Sequence, residues 1–268
     1  MHKLTLLLLV LMCALGCAAW AADVSAPSHQ ETKINSKDGS ELILIPAGEF
    51  LMGSLDIDSQ VVSNEKPQHK VYLDAYYIYK NDVTVAQYRV FCRVKRRKMP
   101  GLPDWAKDDH PMICVTWDDA IAYAQWAGAV LPTEAQWEKA ARGQDGRLYP
   151  WGNAWDASKC QCSKVQWGDA GKTSPVGTFP SGASPYGVLD MVGNVEQWCM
   201  DWYDGDYYTH SPSNNPTGPN TGTKRVLRGG SWCVNYAGFF RAADRGEEYP
   251  SHRGANDGFR CIVRSPGP

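Results

Sequence analysis

The sequence predicts an α+β protein of irregular type, built from short helices, small antiparallel sheets and long loops. Three observations predict it. Glycine and proline are frequent, 25 and 17 in 268 residues, and from residue 149 onward they recur every few positions, so regular elements there must be short. Three helix starts carry capping boxes followed by brief apolar patterns. Strand-like segments are short and separated by turn residues. Eleven tryptophans set against 21% charged residues fit aromatic side chains that plug gaps between loops.

The N-terminus reads as an export signal over residues 1–22. A short basic start precedes a nearly unbroken apolar run over residues 4–15. That run is short of the about 20 apolar residues a membrane span needs, and it suits a signal-peptide core. Ala19-Trp20-Ala21 offers a cleavage site for a soluble exported product. Ala14-Leu15-Gly16-Cys17 is similar to a bacterial lipobox, which would place a lipid on Cys17 and attach the protein to a membrane by that lipid alone. The lipoprotein reading is preferred, with Ala14 in place of the usual Leu. An uncleaved anchor is the third reading. Each puts the body outside the cytosol, in the periplasm or on the cell surface of a bacterium. Residues 23–40 are polar and read as a flexible tether.

The body spans residues 41–264 as one domain. Residues 41–52 carry a strand signal interrupted by Pro46-Ala47-Gly48, and residues 69–78 read as a strand. Helices are expected after Thr84 with Gln87, Thr116 with Asp119, and Thr133 with Gln136. Gly143 is a natural stop for the last. Residues 210–222 form a long loop, and residues 225–232 and 258–264 read as strands.

Charge excludes one class of function. Lys and Arg number 27 against 29 Asp and Glu, so the clustered basic excess of a nucleic-acid binder is missing. The basic run at residues 93–98 reads as a solvated helix end. Beyond the signal, seven cysteines remain: Cys92, Cys114, Cys160, Cys162, Cys199, Cys233 and Cys261. Outside the cytosol they are disulfide candidates first, and an odd count leaves at least one unpaired within the chain. Cys160-Gln161-Cys162 lacks the second pair that a zinc site needs.

An ordered set of motifs runs through the body. It comprises Ile45-Pro46-Ala47-Gly48-Glu49-Phe50, Glu65-Lys66-Pro67-Gln68-His69, Val115-Thr116-Trp117-Asp118-Asp119-Ala120 and Leu131-Pro132-Thr133-Glu134. It continues with Tyr149-Pro150-Trp151-Gly152-Asn153, Asp190-Met191-Val192-Gly193-Asn194-Val195, Arg228-Gly229-Gly230-Ser231-Trp232 and Gly258-Phe259-Arg260. Together they resemble the formylglycine-generating enzyme family, also called the sulfatase-modifying-factor domain, a branch of the C-type-lectin-like folds.

The resemblance carries several expectations. Formylglycine-generating members oxidise a cysteine of a client sulfatase, using two cysteines after the Gly-Gly-Ser motif to hold copper; soft thiolates suit Cu(I). Here Ser231 and Cys233 stand in that place as candidate catalytic residues. The second cysteine is absent, since residues 235–240 read Asn-Tyr-Ala-Gly-Phe-Phe. Copper chemistry is therefore not expected. The iron-dependent branch needs a histidine set that His29, His69, His110, His210 and His252 do not supply. A structural calcium ion is implied at Asp190, Gly193, Val195 and Gln197, where Gln197 replaces the usual Glu and Glu196 a usual Trp. A second calcium site, at Gln161 and Cys162 near Asp169, looks degraded.

In ligand-binding relatives the rim after Trp232 displays contact residues, which here are Trp232, Tyr236, Phe239, Arg241, Arg245 and His252. The opposing reading is that Arg241, Arg245 and Arg253 pair with buried carboxylates such as Glu134 or Glu138. Cys199–Cys233 is the implied disulfide, with Cys92–Cys114 a weaker second. Two functions follow: a divergent binding or accessory protein for an exported client or small ligand, or an oxidoreductase of the formylglycine-generating type.

Overall fold

The computed structural model describes residues 31–55, 60–164 and 171–265. The signal segment, Cys17 and Asp169 lie outside the described residues. Three small sheets and three α-helices make up the regular structure among these residues. The first sheet has the order β1 (Thr32–Ile34), β2 (Glu41–Ile45), β5 (Tyr76–Tyr79) and β10 (Ile262–Arg264), all antiparallel. It joins the two ends of the domain. Strands β3 (Gly48–Met52) and β4 (His69–Leu73) form a second, two-stranded sheet. The third has the order β8 (Gly246–Glu248), β7 (Arg225–Arg228), β6 (Glu196–Trp202) and β9 (Asp257–Gly258), and its β6–β9 pairing is parallel.

The helices start where their caps require. Helices α1 (Val85–Lys95), α2 (Trp117–Trp126) and α3 (Glu134–Arg142) each begin after a threonine whose side chain accepts the third amide N–H, and each has a reciprocating side chain at that third position. Gly143, at a φ of 73°, ends α3. Helix α3 is buried along most of its length. It packs on β3, β6 and β7 and so links the second and third sheets.

Three expectations change. The tether ends before residue 32, because Thr32–Ile34 pairs with β2 and Asn35 donates to Tyr79 Oη and the Ala127 carbonyl. The strand expected over residues 225–232 stops at Arg228, since Gly229 and Gly230 both take positive φ. All seven described cysteines are free thiols, so neither Cys199–Cys233 nor Cys92–Cys114 is formed. Cys199 points into the core from β6, with its thiol against the Gln197 carbonyl, whereas Cys233 lies on a half-buried loop against Ser231.

Buried ion pairs tie the loops to α3. Glu138 accepts from Arg142, Arg228 and the Gly53 amide at 2.8, 2.5 and 2.8 Å. Glu134 accepts twice from Arg245, at 2.7 and 2.9 Å. Glu65 accepts from Arg241 at 2.6 Å. Breaking a buried pair leaves an uncompensated charge, so these close contacts hold the loops to α3.

Candidate functional site

The site forms where three turns meet. Gly229-Gly230 passes beneath the turn at Met191 and the loop at Phe239. A Cβ at Gly229 would come within 2.6 Å of the Met191 carbonyl, and one at Gly230 within 2.7 Å of the Phe239 carbonyl. Only glycine fits this crossing. It delivers Ser231, Trp232 and Cys233 beside the Asn194 turn, where the Trp232 amide donates to the Asn194 carbonyl. The Trp232 indole N–H then donates to the Ala255 carbonyl at 3.0 Å, which brings the loop before β9 to the same place. Trp105 meets Trp232 edge to face, with ring centres 5.7 Å apart.

Two carboxylates lie side by side at this meeting of turns, termed the cleft. Glu196 and Asp257 are direct partners in the parallel β6–β9 pairing, which sends their side chains to the same face. Glu196 is further held by Asn256, whose amide donates to it at 2.9 Å. Burial, and then the neighbouring Asp257, push the Glu196 carboxyl up to about 7. Burial, and then Glu248, push Asp257 up to about 7, against the Gly254 amide that favours its charged form. Asp257 is 2% exposed, and its Oδ2 has no hydrogen-bond partner. His252 Nε2 stands 3.4 Å from that oxygen on the exposed side.

Cys233 faces these groups. Its Sγ lies 3.3 Å from Ser231 Oγ. Burial pushes its thiol up; the Ser231 contact opposes this, and Glu196 and Asp257 add to it. A thiol with this surrounding stays protonated and is a poor nucleophile near neutral pH. On the far side of the residue 253–257 loop lies an open groove of about 610 Å³, lined by Cys114, Arg97 and Arg253 among others. Both arginines share the one carboxylate of Asp119 there, at 2.7 and 2.6 Å.

The residues expected from sequence separate into groups. Ser231, Trp232, Cys233 and His252 converge on the cleft. Tyr236 and Phe239 are exposed, 50% and 38%, and pack edge to face on each other along its rim. Arg241 and Arg245 are not rim residues: they are 1% and 5% exposed and are consumed by Glu65 and Glu134. Sequence reasoning missed Asp257 and gave Glu196 no role. The signal available was Glu196 itself, an acid at a position where the resemblance led us to expect tryptophan.

Most of the groups expected to bind calcium already carry hydrogen bonds within the protein. Gln197 Oε1 already accepts from the Trp137 indole at 2.7 Å and from Arg260 Nε at 2.6 Å. Its amide nitrogen donates to the Asp190 carbonyl, which Arg260 Nη2 also reaches at 3.0 Å. The Asp190 carboxylate accepts from the Gly177 amide, and the Gly193 carbonyl accepts from the Val195 amide. A guanidinium thus supplies the positive charge at this turn. Among the described residues, no group of three or more His, Cys, Asp or Glu side chains is arranged to hold a metal.

Comparison with known proteins places this architecture. The sulfatase-modifying factor enzyme 1-like domain matches residues 28–265. The chain is 32% identical to the formylglycine-generating enzyme of Streptomyces coelicolor, over 82% of this chain and 88% of that protein. It is 35% identical to the serine/threonine-protein kinase pkn1 of Chlamydia caviae, over 83% of this chain but 38% of that longer protein. Among solved structures it superposes on PvdO from Pseudomonas aeruginosa with a TM-score of 0.78 and 25% identity, covering 90% of this chain and all of that one. The chain belongs to the formylglycine-generating enzyme, or sulfatase-modifying factor, family and has its irregular α+β, C-type-lectin-like fold.

Proposed function

We propose that this chain is a divergent family member that works outside the cytoplasm as a binding or accessory protein, for an exported protein client or a small ligand, without two-thiolate copper chemistry. One observation carries the reading. The neighbours of Cys233 are a hydroxyl and two carboxylates, and Tyr236 to Phe240 occupy the stretch where a second thiolate would stand. Soft Cu(I) favours thiolates, and hard oxygen donors do not replace them. The apolar run at residues 4–15 supports export. Exposed Tyr236 and Phe239 support binding, since aromatic side chains dominate recognition surfaces. Matches to proteins named as a formylglycine-generating enzyme and as a serine/threonine-protein kinase fit a fold that hosts unrelated functions.

The second reading is an oxidoreductase of the formylglycine-generating type acting on an exported client. It is favoured by the 32% identity to the Streptomyces coelicolor enzyme and by the retention of Ser231 and Cys233. A competition titration decides between them: the reduced mature chain is titrated with Cu(I) against a chromophoric chelator. The binding reading expects no copper to be withdrawn from the chelator in a Cys233-dependent way. Stoichiometric withdrawal that is lost in Cys233→Ser supports the oxidoreductase.

A further inference from the structure

We propose that Glu196 and Asp257 are the recognition point of the cleft and hold a positively charged, N–H-bearing nitrogen of the ligand: an amine, amidinium or guanidinium. The proposal rests on the binding reading above and gives its ligand a chemistry. It starts from a contrast among buried carboxylates. Glu65, Glu134, Glu138 and Asp82 each face an arginine at hydrogen-bond distance. Among the described residues, Glu196 and Asp257 face no lysine or arginine. Their polar contacts are the Asn256 amide, the Gly254 amide and His252 at 3.4 Å. Glu248 adds a third negative group nearby.

Two acids packed side by side without a cation repel, and desolvation penalises each charge further. A buried oxygen without a hydrogen-bond partner costs more again. Asp257 Oδ2 is such an oxygen, on a side chain 2% exposed. A cationic N–H donor relieves all three penalties at once: it neutralises the pair, bridges the two carboxylates and satisfies Oδ2. The Trp232 indole is anchored on the Ala255 carbonyl, two residues before Asp257, so an aromatic side chain stands in the same loop region.

A divalent metal fits less well. Two carboxylates fall short of the six or more oxygen ligands calcium takes, and the described residues show no group of three candidate ligands here. His252, on the exposed side of Oδ2, is the group an incoming cation would displace or share.

The test uses the mature full-length chain with agmatine as probe and succinate as the anionic control, read by tryptophan fluorescence and ligand-observed NMR. Saturable agmatine binding is expected, with none for succinate. Glu196→Gln and Asp257→Asn should each weaken it about tenfold or more, while Tyr249→Ser leaves it unchanged. Circular dichroism establishes that the variants fold. If neither variant folds, the pH profile of the unmodified chain carries the test. Agmatine affinity should rise between about pH 5.5 and pH 8 as the acids ionise, Glu196, Asp257, Glu248, His252 and Cys233 being the titratable groups that face the site. No saturable binding, or binding that ignores both substitutions, or a flat pH profile, overturns the proposal. The copper titration is independent of agmatine. If both fail to bind, only the acid-pair assignment falls, whereas Cys233-dependent copper binding removes the broader reading.

Discussion

Cys233 and Arg241 show how far a single residue can be read. Cys233 is legible as a displaced family cysteine, but its chemistry depends on neighbours from three separate turns. The structure surrounds it with groups that keep the thiol protonated. Alkylation by iodoacetamide should therefore be slower at pH 7 than that of a free cysteine, measured by peptide mass spectrometry under native conditions. Fast reaction at pH 7 would contradict this environment. Arg241 and Arg245 invite a recognition role because exposed aromatics flank them in sequence. Their partners lie 176 and 111 residues away, a relation no local pattern reveals. Arg241→Ala leaves Glu65 buried and unpaired, which should cost about 3–5 kcal/mol in a denaturant unfolding experiment. A loss under about 1 kcal/mol would place the pair among weak, solvated ones.

At the scale of elements, helix starts were legible because capping is local chemistry. Thr84, Thr116 and Thr133 each cap as the spacing predicts. Thr133→Ala removes the side chain that accepts the Gln136 amide and should destabilise by about 1 kcal/mol, read from the denaturation midpoint. Strand ends were less legible, because Gly229 and Gly230 break pairing to meet contacts on distant loops. The short strand β1 was hidden by its own composition: Thr32–Ile34 is exposed along its length and stabilised by backbone pairing. The following turn matters more. Asp38 accepts from both Tyr79 and Tyr123 hydroxyls, at 2.8 and 2.7 Å. A chain starting at residue 41 should melt several degrees below one starting at residue 31. Equal melting temperatures would return that segment to the role of a tether.

The whole molecule combines an ordinary core with an unusual load of buried acids. Burial pushes Asp82, Asp244, Asp257 and Glu196 up to about 7, and Asp201 up to about 8. In the unfolded chain these groups ionise near pH 4. Between about pH 4 and pH 8 the folded state holds protons that the unfolded state has released, so stability falls as pH rises through that window. Lys139, pushed down to about 8 by burial, acts in the next window: its penalty is lifted between about pH 8 and pH 10.5. Melting temperature should therefore be lowest near pH 8 and higher at pH 6. A curve that peaks at pH 8 would contradict the assigned burial of these acids.

At this scale the family and the fold class were legible, because eight short motifs in fixed order constrain a whole chain. The Glu196–Asp257 juxtaposition was not, because it arises from a parallel pairing of segments 61 residues apart that no local pattern reveals. The central claim is that this cleft binds and does not oxidise. The most direct measurement incubates the copper-supplied mature chain with a cysteine-containing sulfatase peptide under oxygen and reads aldehyde formation by mass spectrometry. The account predicts an unmodified cysteine after many hours. Aldehyde that accumulates over multiple turnovers and disappears in Cys233→Ser would contradict it.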